Sequence, residues 1–250
     1  MLLSCDGKLI RLGDGRGGTD AGHDMVSVYA DANGGPDLVA DGALDLGTDT
    51  APPCAEHAAV AANEVLWIGD SWISESLATS VATKAQGIGA IGPIDQYAVS
   101  ATAGAPIAAI ADKYRKKAAP RPKVLIMDGG TVDTIMKGAS DSVVQGVANT
   151  FTQFLDEVAT DGTVQHVVYF LQPALPMIVG VAELRPLLQT ACDQSAVPCH
   201  FIDLQGPWMQ PGGMEHPEYT NSTGILPTSQ GVKILSDLIW MTMQNSCIAQ

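Results

Sequence analysis

Short, continuously apolar runs alternate with longer helix-like segments from residue 64 to the end of the chain. The strand-like runs lie at residues 65–68, 94–99, 124–127, 164–171 and 200–204. The helix-like segments lie at residues 71–85, 106–117, 140–159, 181–191 and 228–244. Strands without polar alternation, separated by helices, are typical of a parallel sheet covered on both faces. The pattern therefore predicts an α/β fold, built as a three-layer α/β/α sandwich around a central parallel sheet.

Residues 1–62 have a different composition from the rest. They contain ten acidic side chains, three basic ones and many glycines. The Asp-rich stretch at residues 31–49 does not follow the alternate-residue spacing of a calcium-binding loop. We expect residues 1–62 to form an acidic, Gly/Asp-rich leader or linker with little order, and residues 63–250 to form the folded domain.

The overall charge and the motif content exclude several classes of partner. The chain has 13 basic and 27 acidic side chains and a formal net charge of −14, which disfavours nucleic acid as a partner. No apolar run is long enough to cross a bilayer. No group of His, Cys and Asp has zinc spacing, and no glycine-rich fingerprint joins a strand to a helix. We therefore predict neither a metal nor a cofactor.

Four of the five cysteines could form disulfides. Cys192 and Cys199 bracket a short polar loop that a disulfide could close. Cys54 precedes the first core strand and Cys247 follows the last helix, so these two could pair if the ends of the domain meet. Such pairing is typical of an oxidising, exported setting.

The fifth cysteine lies in Leu2-Leu3-Ser4-Cys5, which resembles the end of a bacterial lipoprotein signal. Cys5 is then either a lipidation site or a free thiol. Together with the cysteine pairs, it predicts a periplasmic, secreted or lipid-anchored protein at a bacterial cell surface. A lipid anchor at Cys5 would be the chain's only contact with a membrane.

The run Val65–Trp72 reads as a buried strand followed by a tight turn, Gly69-Asp70-Ser71, and a helix beginning at or just after Ser71. A serine in this place meets unpaired N–H groups and the positive end of the helix dipole. Such a site can stabilise negative charge on a substrate oxygen. The alternative is that Ser71 only caps the helix.

The turn Gly69-Asp70-Ser71 resembles the first sequence block of the GDSL-type, or SGNH, hydrolases. These are three-layer α/β proteins of flavodoxin-like architecture that cleave esters on lipids, acetylated sugars and small acyl compounds. The resemblance spans residues 64–250 and implies that Ser71 is the nucleophile and part of the oxyanion hole. Residues 97–104 resemble the second block, which implies that Ala101 or Gly104 donates an N–H to the oxyanion.

Two later blocks depart from the family pattern. In place of Gly-x-Asn-Asp the chain has Gly130-Thr131-Val132-Asp133, so Val132 replaces the asparagine and leaves Thr131 as a substitute donor. In place of Asp-x-x-His-Pro the chain has Thr223-Gly224-Ile225-Leu226-Pro227. Leu226 stands where the general base should be and Thr223 where its partner should be. Leucine cannot accept a proton, and a serine hydroxyl without a base is a poor nucleophile.

His216 is the best candidate for a replacement base, because it lies in the loop before the last helix with Glu215 and Glu218 beside it. Two main hypotheses follow, beside a third in which the chain is a surface-anchored structural module whose pocket is incidental. The first is a weak hydrolase of small-molecule or carbohydrate esters, with Ser71 as nucleophile and His216 as stand-in base. The second is a catalytically inactive pseudoenzyme that binds a carbohydrate, an acyl group or a protein.

Overall fold

The computed structural model describes residues 60–175, 178–210 and 215–249. Their centre is a five-stranded sheet in the order β2-β1-β3-β4-β5, in which every neighbouring pair is parallel. The strands are β1 (Val65–Gly69), β2 (Ala98–Ala101), β3 (Val124–Met127), β4 (His166–Leu171) and β5 (Cys199–Asp203). The predicted parallel α/β fold is confirmed. The predicted second strand, at residues 94–99, begins later and ends later than expected.

Seven helices accompany the strands within the described residues. They are α1 (Glu75–Gly87), α2 (Ile107–Arg115), α3 (Thr131–Lys137), α4 (Asp141–Asp161), α5 (Val181–Asp193), α6 (Gln205–Trp208) and α7 (Ser229–Asn245). The helices α3 and α6 were not predicted, since each is too short to show an amphipathic period. Residues 1–59 lie outside the described residues, so the prediction of a poorly ordered leader stays a prediction.

The helices form two layers. Helix α1 packs against α7, while α4 packs against α2, α3 and α5. The chain moves across the sheet in one direction from β1 to β2, and in the opposite direction from β2 to β3, β4 and β5. Because parallel crossovers are right-handed, reversing the direction puts the connecting helices on the opposite face of the sheet. The strands β1 and β3 are buried along their whole length, whereas the edge strand β2 is half-buried. The result is the predicted three-layer sandwich.

The strand order places a topological switch point between β1 and β3. In an open α/β sheet, ligands bind in the crevice at the carboxyl ends of the strands at such a point. The turn that carries Ser71 follows directly after β1. The fold therefore puts Ser71 where this architecture binds its ligands.

One of the two predicted disulfides lies in the described residues. Cys192, near the end of α5, is bonded to Cys199 at the start of β5, with 5.2 Å between their Cα atoms. The bond closes the short polar loop between these elements, as the sequence predicted. Cys54 and Cys5 lie outside the described residues, so the pairing of Cys54 with Cys247 and the lipidation of Cys5 stay predictions.

Candidate active site

Ser71 lies at the open carboxyl edge of the sheet, in a turn formed directly after β1. Its side chain is half-buried, between fully buried Asp70 and Trp72. Among the described residues, neither the Ser71 hydroxyl nor its backbone N–H makes a hydrogen bond. A partly exposed hydroxyl with no partner is free to meet a substrate at this edge.

The helix after the turn begins later than predicted, and Ser71 does not cap it. Helix α1 begins at Glu75, and the hydroxyl of Ser74 accepts a hydrogen bond from the N–H of Leu77 at 3.2 Å. The predicted start at or just after Ser71 is therefore wrong, and so is the alternative that Ser71 is the helix cap. Ser71 is left available for another role.

Two carboxyl groups hold the Ser71 turn in place. The Asp70 N–H donates to Asp128 Oδ1 at 2.8 Å, and the Trp72 N–H donates to Asp70 Oδ1 at 3.0 Å. The side-chain amide of Gln172 donates to both carboxyl oxygens of Asp70 at 3.3 Å. Burial, and then the charge of Asp70, raise the pKa of Asp128 well above its usual range. The Gly69–Asp70 and Ser71–Trp72 peptide groups are therefore held by these carboxyl groups.

Glycine is required directly before this turn because the Asp128 carboxyl lies against it. A Cβ added to Gly69 would lie 1.8 Å from Asp128 Oδ1 and 2.8 Å from Ile73 Cδ1. No side chain fits at such distances. The first residue of the Gly69-Asp70-Ser71 block is thus explained by close packing under the turn.

The loop after β2 reaches the same edge as Ser71. Gly69 pairs with Ala101 in the sheet, and the Thr102 N–H donates to the Gly69 carbonyl at 3.0 Å. Gly104 is exposed and adopts a φ of +72°, and its N–H makes no hydrogen bond within the described part of the chain. Both predicted oxyanion donors, Ala101 and Gly104, therefore lie in a segment attached to the end of β1.

The third block brings Val132, but not the Thr131 hydroxyl, to an accessible position. Val132 is half-buried on the first turn of α3. The Thr131 side chain is 1% exposed, and its hydroxyl is buried without a partner among the described residues. A hydroxyl sealed in this way cannot reach a substrate at the open edge, so the prediction that Thr131 substitutes as a donor is not met.

The last block packs directly on the residue after the candidate nucleophile. Trp72 Nε1 donates to the Ile225 carbonyl at 2.9 Å. Asn221 Oδ1 accepts hydrogen bonds from the Thr223 hydroxyl at 2.6 Å and from the Leu226 N–H at 3.4 Å, which folds residues 221–226 into a compact loop. Leu226 is half-buried against the hydrophobic core. Leu226 and Thr223, which the sequence resemblance aligned with the general base and its partner, thus lie in the loop whose Ile225 carbonyl is bonded to the Trp72 side chain.

His216 does not reach Ser71. Its Nδ1 lies 2.9 Å from Glu218 Oε1, and its ring stacks on Tyr219 with 4.5 Å between ring centroids. Tyr219 in turn contacts Trp208, which packs against the ring of Trp72. No hydrogen bond joins His216 to Ser71 in the part of the chain that the structure describes. The predicted contact between the stand-in base and the nucleophile is absent because stacking and Glu218 hold His216 within its own loop.

Two other histidines lie at the opposite end of the strands from Ser71. His166 begins β4 and His200 lies at the start of β5, with His166 Nδ1 3.2 Å from His200 Nε2. These are amino ends of strands, whereas Ser71 follows a carboxyl end. Neither histidine is placed to act as a base for Ser71.

Sequence reasoning missed the polar groups beneath the turn. Asp128 follows β3 directly, and Gln172 follows β4 directly, as candidate ligand-binding residues do in a parallel sheet. Their position directly after a buried strand was the sequence signal that could have found them.

Within the described residues, no group of three His, Cys, Asp or Glu side chains is arranged to hold a metal ion, and no helix is long and apolar enough to span a bilayer.

Solved structures of esterases share this fold. A GDSL-like lipase from Bacteroides thetaiotaomicron is 17% identical, with a TM-score of 0.54 over 73% of this chain and 88% of that one. A carbohydrate esterase of family 3 from Talaromyces cellulolyticus is 13% identical, with a TM-score of 0.56 over 74% of this chain and 97% of that one. A family-two carbohydrate esterase from Clostridium thermocellum, solved with cellohexaose, is 14% identical, with a TM-score of 0.52 over 74% of this chain and 64% of that one.

No protein-family model matches the sequence, and no curated protein matches it. At these identities the solved structures establish the fold alone. That fold is the three-layer α/β architecture of the GDSL, or SGNH, hydrolases, as the sequence blocks implied. What the protein does with Ser71 depends on its own site.

Proposed function

We propose that this protein is a serine ester hydrolase of low activity that uses Ser71 as its nucleophile on small-molecule or carbohydrate esters. The observation that carries the proposal is the partly exposed, unpartnered Ser71 hydroxyl at the switch point of the sheet. Ser71 is not used as the helix cap, because the Ser74 hydroxyl fills that role.

The reaction would proceed through an acyl-serine. The Ser71 oxygen attacks the ester carbonyl, the alcohol leaves, and water then hydrolyses the acyl group from the serine. The N–H groups of Ser71 and Gly104, neither hydrogen-bonded among the described residues, are available to stabilise the oxyanion.

The low activity follows from three positions at the same edge. Val132 cannot donate a hydrogen bond to the oxyanion, and loss of one such donor costs on the order of 10² to 10³ in rate. Leu226 cannot take the Ser71 proton, which must pass to solvent, and Thr223 has no histidine to orient. Catalysis then rests on binding and on the oxyanion donors that remain.

Hydrolysis of p-nitrophenyl acetate by purified wild-type protein and by Ser71→Ala tests this function. We expect slow release of p-nitrophenol by the wild type and loss of that release in Ser71→Ala. The matched control is Ser74→Ala, which removes the helix cap at a cost of about 1 kcal/mol of stability but should leave hydrolysis unchanged. Equal rates for wild type and Ser71→Ala would remove Ser71 as the nucleophile.

The second candidate function is a pseudoenzyme that binds a carbohydrate, an acyl group or a protein without turnover. The observation in its favour is that the Thr223 hydroxyl is committed to Asn221 and that Leu226 packs against the core, so these positions serve the loop's structure. Mass spectrometry of the intact protein after incubation with the ester separates the two functions. An acetyl group that appears on Ser71 favours the hydrolase, and its absence favours the pseudoenzyme.

An exported location is part of the proposal. The Cys192–Cys199 disulfide supports it, because disulfides of this kind persist in oxidising compartments. Lipidation of Cys5 would anchor the protein to a membrane. Detergent-phase partitioning of the protein from its native host tests the anchor, and Cys5→Ala should move the protein to the aqueous phase if the anchor exists.

A further inference from the structure

Asp128 is a fully buried carboxyl group directly beneath the Ser71 turn. It is 0% exposed, and its Oδ1 accepts the Asp70 N–H at 2.8 Å. Its Oδ2 is also buried, and no donor in the described part of the chain reaches it. An ionised carboxylate oxygen without donors in a dry site is strongly unfavourable, whereas a protonated one can itself donate.

The second carboxyl group, that of Asp70, is the natural acceptor for such a proton. Asp70 is 1% exposed and its side chain interacts with that of Asp128. Its oxygens already accept the Trp72 N–H and the Gln172 amide, whereas Asp128 Oδ2 has no donor among the described residues. Two carboxylates in contact in a buried site do not both ionise.

The other ionisable groups that face the pair do not supply a compensating positive charge. Tyr169, on β4, donates its hydroxyl to the Gly129 carbonyl at 2.7 Å, and burial raises its pKa well above the usual range. Arg185, on α5, directs its guanidinium to Asp203, and to Gln205 at 3.0 Å. Neither side chain donates a hydrogen bond to Asp70 or to Asp128.

We propose that Asp70 and Asp128 share one proton, and that Asp128, kept protonated, is the positioning residue that fixes the Ser71 turn. In this arrangement the neutral Asp128 donates its O–H to the Asp70 carboxylate and accepts the Asp70 N–H. Asp70 in turn holds the Trp72 N–H, so the Gly69–Asp70 and Ser71–Trp72 peptide groups both depend on the pair. The proposal rests on the proposed function only for what Ser71 does once it is positioned.

The proton gives the pair a distinct pH dependence. The folded-state pKa of Asp128 is raised, while an unfolded aspartate has a pKa of about 3.9. As the pH rises above that value, the unfolded chain loses a proton that the folded chain keeps. The stability that Asp128 contributes is therefore present at low pH and is lost progressively as the pH rises toward the folded-state pKa.

The first test compares chemical unfolding of the wild type with that of Asp128→Asn between pH 5 and pH 9. Asparagine preserves the shape, the acceptor and the donor but has no proton to lose. We expect the ratio of unfolding equilibrium constants, wild type over variant, to rise about tenfold per pH unit over the window in which only the unfolded chain is ionised. Asp156→Asn, at an exposed position on α4, is the matched control and should show a constant ratio.

The second test measures amide hydrogen exchange at Asp70 by NMR, which does not depend on hydrolysis. The Asp70 N–H should be protected in the wild type and in Asp128→Asn, and should lose about tenfold or more of its protection in Asp128→Ala. A pH-independent ratio in the first test would overturn the shared proton. Equal protection of Asp70 in Asp128→Ala would overturn the positioning role. If Asp128→Ala does not fold, Asp128→Leu, which has a similar shape but no acceptor, takes its place, and equal protection of Asp70 in that variant would overturn the role. A wild type without esterase activity would refute the proposed function and leave both of these results unaffected.

Discussion

Restoring the missing base is the change that tests the site most severely. The double variant Thr223→Asp and Leu226→His places an aspartate and a histidine on the loop whose Ile225 carbonyl is bonded to Trp72 at 2.9 Å. Since that bond holds the loop against the residue after Ser71, a histidine at position 226 should lie close to the nucleophile. General-base catalysis contributes typically 10² to 10⁴ in rate, and we expect a gain in that range.

The structure sets the cost of this change. Truncating a fully buried leucine to alanine costs roughly 2–5 kcal/mol of stability. Leu226 is only half-buried, so its replacement should cost less. Thr223→Asp removes a hydroxyl that donates to Asn221 Oδ1 at 2.6 Å, a loss of about 1 kcal/mol. The backbone N–H of residue 226 still reaches Asn221 Oδ1, so the loop should keep its shape. The double variant should therefore remain folded.

The assay is p-nitrophenyl acetate hydrolysis, with circular dichroism to establish that each variant is folded. Thr223→Asp combined with Leu226→Gln is the matched control, because glutamine is polar but cannot act as a base. Adding Val132→Asn to the double variant restores an oxyanion donor and should raise the rate by a further 10² to 10³, roughly. A folded double variant that gains less than about tenfold over the glutamine control would refute the placement of position 226 beside Ser71.

Three further changes test the surroundings of the turn. Trp72→Phe removes the hydrogen bond to the Ile225 carbonyl, and thermal denaturation should show a loss of about 0.5–1.5 kcal/mol of stability. Added to the repaired double variant, it should also lower the rate of ester hydrolysis. An unchanged rate would show that this bond does not hold the loop. Gly69→Ala forces a Cβ to within 1.8 Å of Asp128 Oδ1, so we expect a loss of about 1–3 kcal/mol in the free energy of unfolding, or failure to fold. The control is Gly87→Ala, where a Cβ meets nothing within 4 Å. Wild-type stability of Gly69→Ala would contradict the close packing. His216→Ala should leave any Ser71-dependent hydrolysis unchanged, because His216 bonds to Glu218 and stacks on Tyr219; loss of activity would restore it as a candidate base.

The sheet and its central serine could be predicted because their signal is local. The run Val65–Ile68 is continuously apolar and β3 is too, which in a sheet with helices on both faces indicates parallel strands. The strand order was also available in principle, since right-handed crossovers leave few alternatives. The Ser71 turn then follows from the position of β1 at the switch point.

The details of the site could not be read from local signals. Ser71 and Ser74 both precede good helix formers, and only the structure shows Asp70 taking the Trp72 N–H, which delays the helix to Glu75. Asp128 was overlooked because an aspartate is rarely fully buried, and because its hydrogen-bond partner Asp70 is 58 residues away in sequence. His216 has a suitable sequence context for a base, but stacking on Tyr219 orients it elsewhere.

Covalent labelling of Ser71 tests the central claim most directly. The repaired double variant is incubated with a fluorophosphonate, digested, and mapped by mass spectrometry, beside the same variant carrying Ser71→Ala. A free hydroxyl at the carboxyl edge of β1, lacking only a base, predicts a phosphonyl group on the Ser71 peptide and none in the alanine variant. A folded double variant that stays unlabelled at Ser71, or is labelled at another serine, would contradict it.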